Sequence, residues 1–311
     1  MSEQIPSSSP QEHREVMDKM PDAWAELRAK ILETIPNRTE GLDTERVNSF
    51  MSSLGLSANE YRVLYDEDIP RLRELLQPSG MDGLASFTGL KSGVFLQHIN
   101  LAFIKRQSEV EQVNGLVYTE GMIIHELAHQ SGYMPLHVKT ERGFNTPRVG
   151  FGTLRTGAFL EEGFADLLRG KYLTQATMPD NVKQQILAKF RLAEDTPLDK
   201  EVRLTKEIKG EYFRFFYRVP IRHLFLSSSG ETQTVASGIA AGGLELLCQK
   251  DPGLFDALLA ARGGDIERLR EIPKRINAIS PGLYPVLQNL QYSEDDFIRG
   301  NVEIARRLSI D

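Results

Sequence analysis

The sequence predicts an α+β protein that is mostly helical. Apolar residues recur at spacings of three or four along most of the chain, which is the pattern of helices with one buried face. Residues 84–120 instead contain short apolar and β-branched runs, which favour a small antiparallel β region. From residue 181 onward the helical spacing returns almost without interruption. A chain of 311 residues can bury a large core, as one large domain or two modest ones.

The first 80 residues are predicted to be a tail followed by helices. Residues 1–12 are polar and contain Ser and Pro, so we expect a flexible tail. Residues 13–80 form the predicted N-terminal helical region, which starts with a helix over 15–35. Two more helices are expected in "DTERVNSFMSSLGL" and "SANEYRVLYDEDIPRLRELLQ", with Asp43 and Ser57 as their N-caps.

Residues 81–311 are predicted to form the main domain. The β region is followed by two helices, over 120–131 and 159–173. A stretch rich in Gly and Pro separates these helices and is expected to be a long loop with a short hairpin in "RVGFGTLRTG". Residues 181–311 make up a helical C-terminal lobe.

Charge and composition exclude several classes of protein. The net charge of −6 argues against nucleic acid as the main partner, because phosphate binding requires a basic face. A single cysteine, Cys248, rules out an intramolecular disulfide and fits a reducing compartment. The N-terminal residues lack the apolar core of a signal peptide, and no stretch is apolar enough for a membrane span. We therefore expect a cytoplasmic protein with no membrane partner.

The segment "HELAH" carries the strongest chemical signal in the chain. His125 and His129 are four residues apart, so in a helix both side chains project from one face and can bind the same metal ion. Glu126 is rotated by about 100° around the helix, which makes it a poor ligand but places it near a metal-bound water. Two imidazole ligands and a general base are what zinc-dependent hydrolysis requires.

A third ligand is expected from the helix over 159–173. Glu162 and Asp166 are four residues apart and share a face, so one carboxylate can bind the metal while the other accepts the second ring N–H of a ligating histidine. His137, eight residues beyond His129, is the rival third ligand. The alternative is that these carboxylates have no role at a metal and are solvated side chains in the first turns of the helix, where the helix dipole favours negative charge.

"HELAH" followed by "LEEGFAD" resembles the gluzincin metallopeptidases of the thermolysin and aminopeptidase N type. The resemblance covers residues 120–173 and implies a zincin-like catalytic core with one Zn²⁺. It implies that Glu162 is the third metal ligand and that Asp166 is the carboxylate behind a ligating histidine. Two departures are visible: Glu161 stands where the family often has Asn, and the 32 residues between His129 and Glu162 are a wider gap than usual. The exopeptidase motif Gly-x-Met-x-Asn is absent, so aminopeptidase activity is not implied.

The predicted function is hydrolysis of a peptide or protein substrate. Glu126 is the expected general base, since it can take a proton from the attacking water and pass it to the leaving amine. The oxyanion needs a further donor, which in this group is usually Tyr or His. Tyr217 and His223 are the candidates, on an expected helix over 210–225 that breaks at Pro220. Extended substrate could pair with a strand edge at 94–104 or 116–118.

Two alternatives remain open. The chain could be a non-catalytic regulatory or binding protein that retains zinc and the zincin fold. It also resembles the intracellular metallopeptidases that cleave repressors, whose acidic helix usually contains Glu-x-x-Ala-Asn. Glu162 and Ala165 fit that spacing, whereas Asp166 replaces the Asn. The oligomeric state, the cleavage preference and the role of the first 80 residues are not predicted.

Overall fold

The computed structural model confirms an α+β protein that is mostly helical. The described residues are 25–56, 61–79, 93–96, 101–139, 145–149, 151–153, 156–174, 177–210, 214–262 and 265–310. The helices are α1 (25–34), α2 (Thr44–Ser53), α3 (Ile69–Leu76), α4 (Ser108–Asn114), α5 (Leu116–Ser131), α6 (Ala158–Tyr172), α7 (Asp180–Phe190), α8 (Ala236–Lys250), α9 (Pro252–Arg262), α10 (Ile266–Ile279), α11 (Leu283–Asn289) and α12 (Glu294–Arg307). The strands are β1 (Tyr61–Leu64), β2 (Gly93–Leu96), β3 (Leu101–Lys105), β4 (Tyr133–Lys139), β5 (Asn145–Val149), β6 (Gly152–Thr153), β7 (Glu201–Glu207), β8 (Arg214–Pro220), β9 (Leu224–Leu226) and β10 (Thr232–Thr234).

The chain divides into two compact units. The first combines residues 1–38 with 60–105, and the second combines 39–59 with 106–311. The predicted tail over 1–12 and the predicted N-cap Ser57 lie outside the described residues. The boundary predicted between residues 80 and 81 stays a prediction, because that part of the chain is not described either.

The first unit contains a three-stranded sheet with the order β1-β3-β2. β3 is central, pairing in parallel with β1 and antiparallel with β2, and its side chains Leu101 and Phe103 are fully buried against α1 and α3. The helix expected over the whole of "SANEYRVLYDEDIPRLRELLQ" is therefore wrong at "YRVL", which is β1. Its aromatic and β-branched residues fit a sheet, and pairing with β3 outweighs the weak local helical spacing.

The second unit is built around α6, which packs against α5 on one side and α8 on another. Gly163 permits the close approach to α8, because a Cβ there would lie 3.1 Å from the Ala240 carbonyl. α12 packs in turn on α8. At the edge of the unit, Asp43 caps α2 as predicted, with its carboxylate accepting from the Arg46 N–H at 2.9 Å.

The β region predicted over 84–120 is only partly correct. In the described part of that range, strands end at Lys105, and α4 and the start of α5 occupy the rest. "LVY" at 116–118 is helical, so no strand edge exists there for a substrate. Gly115 explains the change: its φ of 73° lets the chain end α4 and begin α5 at the next residue.

The C-terminal lobe predicted as helical also contains strands. β7 and β8 form an antiparallel hairpin, and β9 pairs with β10. The helix expected over 210–225 is wrong, because β8 alternates buried and exposed residues with a period of two, as Phe216 and Tyr217 show. The hairpin predicted at "RVGFGTLRTG" is present as β5 and β6, although β4 precedes it where a loop was expected.

Within the described residues, every helix is too short or too polar to cross a membrane.

Candidate metal centre

α5 holds its two histidines in a buried, rigid position. Other faces of the helix are covered by apolar packing from Met122, Ile123, Leu127 and Ala128. His125 and His129 lie one turn apart on the same side, with ring centroids 4.7 Å from each other. The packing therefore determines where the two imidazoles point.

α6 brings its carboxylates to the same place. Gly157 precedes the helix with a left-handed φ of 81°, a conformation that favours glycine. Its N–H donates to the Gln288 carbonyl at 2.8 Å, which attaches the start of α6 to α11. Glu161 and Glu162 follow in the first turns, facing α5.

Three ligand atoms converge between the helices. His125 Nε2 and His129 Nε2 are 3.0 Å apart, and the Glu162 oxygens lie 3.4 Å and 3.6 Å from these two nitrogens. A tetrahedral zinc ion at ordinary bond lengths holds its ligand atoms roughly 3.4 Å apart. The spacing of the three groups therefore fits one zinc ion and leaves a fourth position for water or substrate.

The chemistry of the three groups also fits a cation. The Glu161 carboxylate lies against His129 Nδ1, which assigns the ring proton to that nitrogen and leaves a lone pair on Nε2. That lone pair faces His125 Nε2 and the negative Glu162 carboxylate. Such an arrangement is repulsive unless a proton or a metal ion lies between the groups.

Glu161 lies against His129, although from the sequence it stands out only as a departure from the family pattern. Its Oε1 lies 2.7 Å from His129 Nδ1, while Oε2 accepts from the Phe151 N–H at 3.0 Å and from Arg262 Nη2 at 2.5 Å. Arg262 also stacks on the Phe151 ring, 4.4 Å from its centroid. The only local signal for Glu161 was its position beside Glu162. Arg262 carries no local signal, since it comes 101 residues later.

Asp166 lies behind the other histidine, where it was predicted. It is fully buried, and its Oδ1 is 3.5 Å from His125 Nδ1. That nitrogen is buried and makes no hydrogen bond within the described part of the chain. Arg169 neutralises Asp166, with Nε 2.8 Å from Oδ1 and Nη2 3.2 Å from Oδ2. Each histidine of the pair therefore has one carboxylate facing Nδ1.

The electrostatics follow from this arrangement of charges. Burial opposes ionisation of Glu162, but His129 and His125 outweigh it and hold the pKa of Glu162 far below its usual value. Burial likewise opposes the charged form of His129, but Glu162 and Glu161 raise its pKa well above normal. Burial disfavours the charged form of Asp166, but the positive charge of Arg169 favours it more strongly. The pKa of Asp166 therefore lies well below its usual value. The carboxylates are therefore ionised at neutral pH and favour a cation at the histidine pair.

The two predicted oxyanion donors lie in different environments from those expected. Tyr217 is buried on β8, where burial and the Glu294 carboxylate raise its pKa to about 12. His223 lies in a short 3₁₀ turn, fully buried, with Nδ1 2.7 Å from Asp166 Oδ2. A side chain with 0% exposure behind Asp166 cannot reach a substrate, so this position does not favour a direct catalytic role for His223.

Tyr292 is a tyrosine that sequence reasoning missed. It precedes α12, and its ring packs edge-on against Phe297 at 5.7 Å. Half of the residue is exposed (49%), and burial together with the charges of Glu162, Glu126 and Asp166 raises its pKa.

The rival ligand His137 stays a prediction. The backbone of His137 belongs to β4, but its side chain is not described. His13 and His98 lie outside the described residues. Among the residues whose side chains are described, the cluster suited to a metal is His125, His129 and Glu162. No family model, curated protein or solved structure matches the chain.

Replacing Arg262 with Met is expected to lower the free energy of unfolding by about 3–5 kcal/mol, because it leaves the buried Glu161 without its cation. Urea unfolding of the metal-free protein measures the change. The matched control is Arg270→Met, since Arg270 and its partner Glu267 are both exposed and should contribute less than about 0.5 kcal/mol. Equal effects of the two substitutions would contradict the role assigned to Arg262.

Proposed function

We propose that the protein is a zinc-dependent peptidase of the zincin type. The observation that carries the proposal is the convergence of His125 Nε2, His129 Nε2 and the Glu162 carboxylate at distances that suit one tetrahedral zinc ion. The resemblance of "HELAH" and "LEEGFAD" to gluzincins supports the same assignment. The substrate class is a peptide or protein.

In this proposal the protein holds one zinc ion through His125, His129 and Glu162. When bound, the metal supplies polarisation of the substrate carbonyl and acidification of water. Glu126 removes a proton from the attacking water and delivers it to the leaving amine as the C–N bond breaks. Glu161 and Asp166 keep both histidines oriented, each through Nδ1.

Tyr292 is the proposed donor to the oxyanion. Burial and the charges of Glu162, Glu126 and Asp166 raise its pKa, which supports a place for its hydroxyl near the proposed zinc site. Its raised pKa keeps the hydroxyl protonated at neutral pH, as a hydrogen-bond donor must be. Phe297 holds the ring, and Phe297 in turn packs edge-on against Phe159 of α6 at 5.8 Å. The donor is thus connected to the helix that carries Glu162.

Tyr292→Phe is expected to lower kcat by about 10²- to 10³-fold with KM changed only a few-fold, because the lost hydrogen bond acts on the oxyanion. Zinc content should not change. Tyr217→Phe is the matched control, because the charge that raises the pKa of Tyr217 is that of Glu294 and not that of the cluster. The kcat of this variant should stay near the wild-type value. A Tyr292→Phe enzyme with wild-type kcat would remove Tyr292 from the mechanism.

The alternative is a regulatory protein that binds zinc without turnover. Structural zinc sites are usually closed by four protein ligands and rich in cysteine, whereas the described cluster offers three ligands and no cysteine. The test is to purify the protein without chelators, measure its zinc content, and incubate it with a peptide library before and after zinc removal. Wild-type protein that contains no zinc would reject both the peptidase and the zinc-binding regulatory protein. One zinc ion per chain without any peptide cleavage would reject the peptidase alone.

A further inference from the structure

The side chain of His223 is buried in a space that glycines of two neighbouring helices leave free. The residue has 0% exposure and lies between α6 and α8. Gly170 of α6 and Gly238 of α8 both make room: added Cβ atoms would lie 2.5 Å from His223 Cε1 and 3.2 Å from its Cβ. A buried imidazole is costly unless its polar atoms are bonded, so the contacts of His223 indicate what it does.

The imidazole makes one strong contact, with Asp166. Nδ1 lies 2.7 Å from Asp166 Oδ2, whereas Nε2 is buried and has no hydrogen-bond partner among the described residues. Burial lowers the pKa of His223 despite the neighbouring carboxylate, so the ring is neutral at physiological pH. A neutral ring beside an ionised carboxylate carries its proton on Nδ1 and donates it to Oδ2.

Asp166 divides its two oxygens between different partners. Oδ2 accepts from His223 and from Arg169 Nη2 at 3.2 Å. Oδ1 faces His125 Nδ1 at 3.5 Å, with Ser237 Oγ at 3.3 Å and Arg169 Nε at 2.8 Å. Arg169 Nη2 donates to Oδ2, and its Nε makes an ion-pair contact with Oδ1. The bond from His223 is a second donor to Oδ2, from a different residue, and it opposes rotation of the carboxylate.

We propose that His223 is a positioning residue for the metal site: it fixes the Asp166 carboxylate so that Oδ1 faces His125 Nδ1 and leaves the His125 Nε2 lone pair towards the metal. This inference rests on the proposed metal site and extends it to a residue that contacts neither metal nor substrate. Outer partners of this kind typically change metal affinity by 10- to 100-fold.

Two substitutions separate the hydrogen bond from simple packing. His223→Asn retains an N–H donor near the position of Nδ1, whereas His223→Leu fills similar space without a donor. We expect the zinc dissociation constant, measured by competition with a chromophoric chelator, to rise about 10- to 100-fold in His223→Leu and less than about three-fold in His223→Asn. Equal weakening in both variants, or no weakening in His223→Leu, would overturn the proposal. The second outcome would mean that Arg169 and Ser237 hold Asp166 without His223.

A second measurement needs no metal. In zinc-free protein held above the raised pKa of His125, long-range ¹H–¹⁵N spectra report which nitrogen of the neutral ring carries the proton. We expect the Nδ1–H form to dominate in wild type and His223→Asn, and mixed tautomers in His223→Leu. Unchanged spectra in folded His223→Leu overturn the proposal. If that variant does not fold, His223→Gln replaces it, because its amide reaches the position of Nε2 rather than Nδ1. Wild-type protein that binds no zinc rejects the proposed function, while these spectra still decide the role of His223.

Discussion

Replacing Glu126 with Gln is expected to lower kcat/KM for peptide cleavage by about 10²- to 10⁴-fold while zinc stays bound at one ion per chain. The amide has nearly the shape of the carboxylate but cannot accept a proton from water. The three groups proposed to hold zinc are unchanged in this variant. The loss should appear mainly in kcat, measured on a peptide that the wild-type enzyme cleaves, with zinc measured by mass spectrometry of the same sample.

The matched control is Glu109→Gln, an exposed glutamate of α4 in the same compact unit. It removes one negative charge without touching the cluster, so its cleavage rate should equal wild type. Full activity in Glu126→Gln, with stoichiometric zinc, would reject Glu126 as the general base. A variant that loses zinc as well as activity would place Glu126 among the metal ligands instead.

His129→Ala is expected to abolish stoichiometric zinc binding, with the dissociation constant rising more than about 100-fold, beyond the effect of losing an outer partner. The substitution removes one of three ligands and leaves Glu162 opposite a single imidazole. Equilibrium dialysis against buffered zinc measures the change. Cleavage should fall to background in the same preparations.

Ser131→Ala at the end of the same helix controls for helix damage, because its hydroxyl donates to the Ala128 carbonyl within that helix at 2.8 Å. It should bind zinc as wild type does. Retention of one zinc ion by His129→Ala would show that the metal binds elsewhere, and His137 would then be the first residue to substitute.

The helical period of the sequence was enough to locate α5 and α6, and hence the site. Four-residue spacing makes His125 and His129 neighbours on any helix, and the same spacing relates Glu162 to Asp166. The strands were harder to predict. The sequence predicts helices for "YRVL" and for the residues around Tyr217, but both segments are strands. A short apolar segment is compatible with the period of a helix and with that of a strand, and pairing with a partner strand decides between them.

The sequence by itself determined the helical character of the chain, the two helices that carry the proposed ligands and the chemical types of those ligands, since these depend on residue type and on spacings of three and four. Only the tertiary structure decided which distant groups complete the site. Arg262 reaches Glu161, and His223 lies behind Asp166. These pairings join residues 57 to more than 100 positions apart, and local spacing carries no information about which of them will meet. The physical reason is that contacts between helices depend on how the whole core packs, through features such as Gly163 and Gly170, whose missing side chains make the close approaches possible.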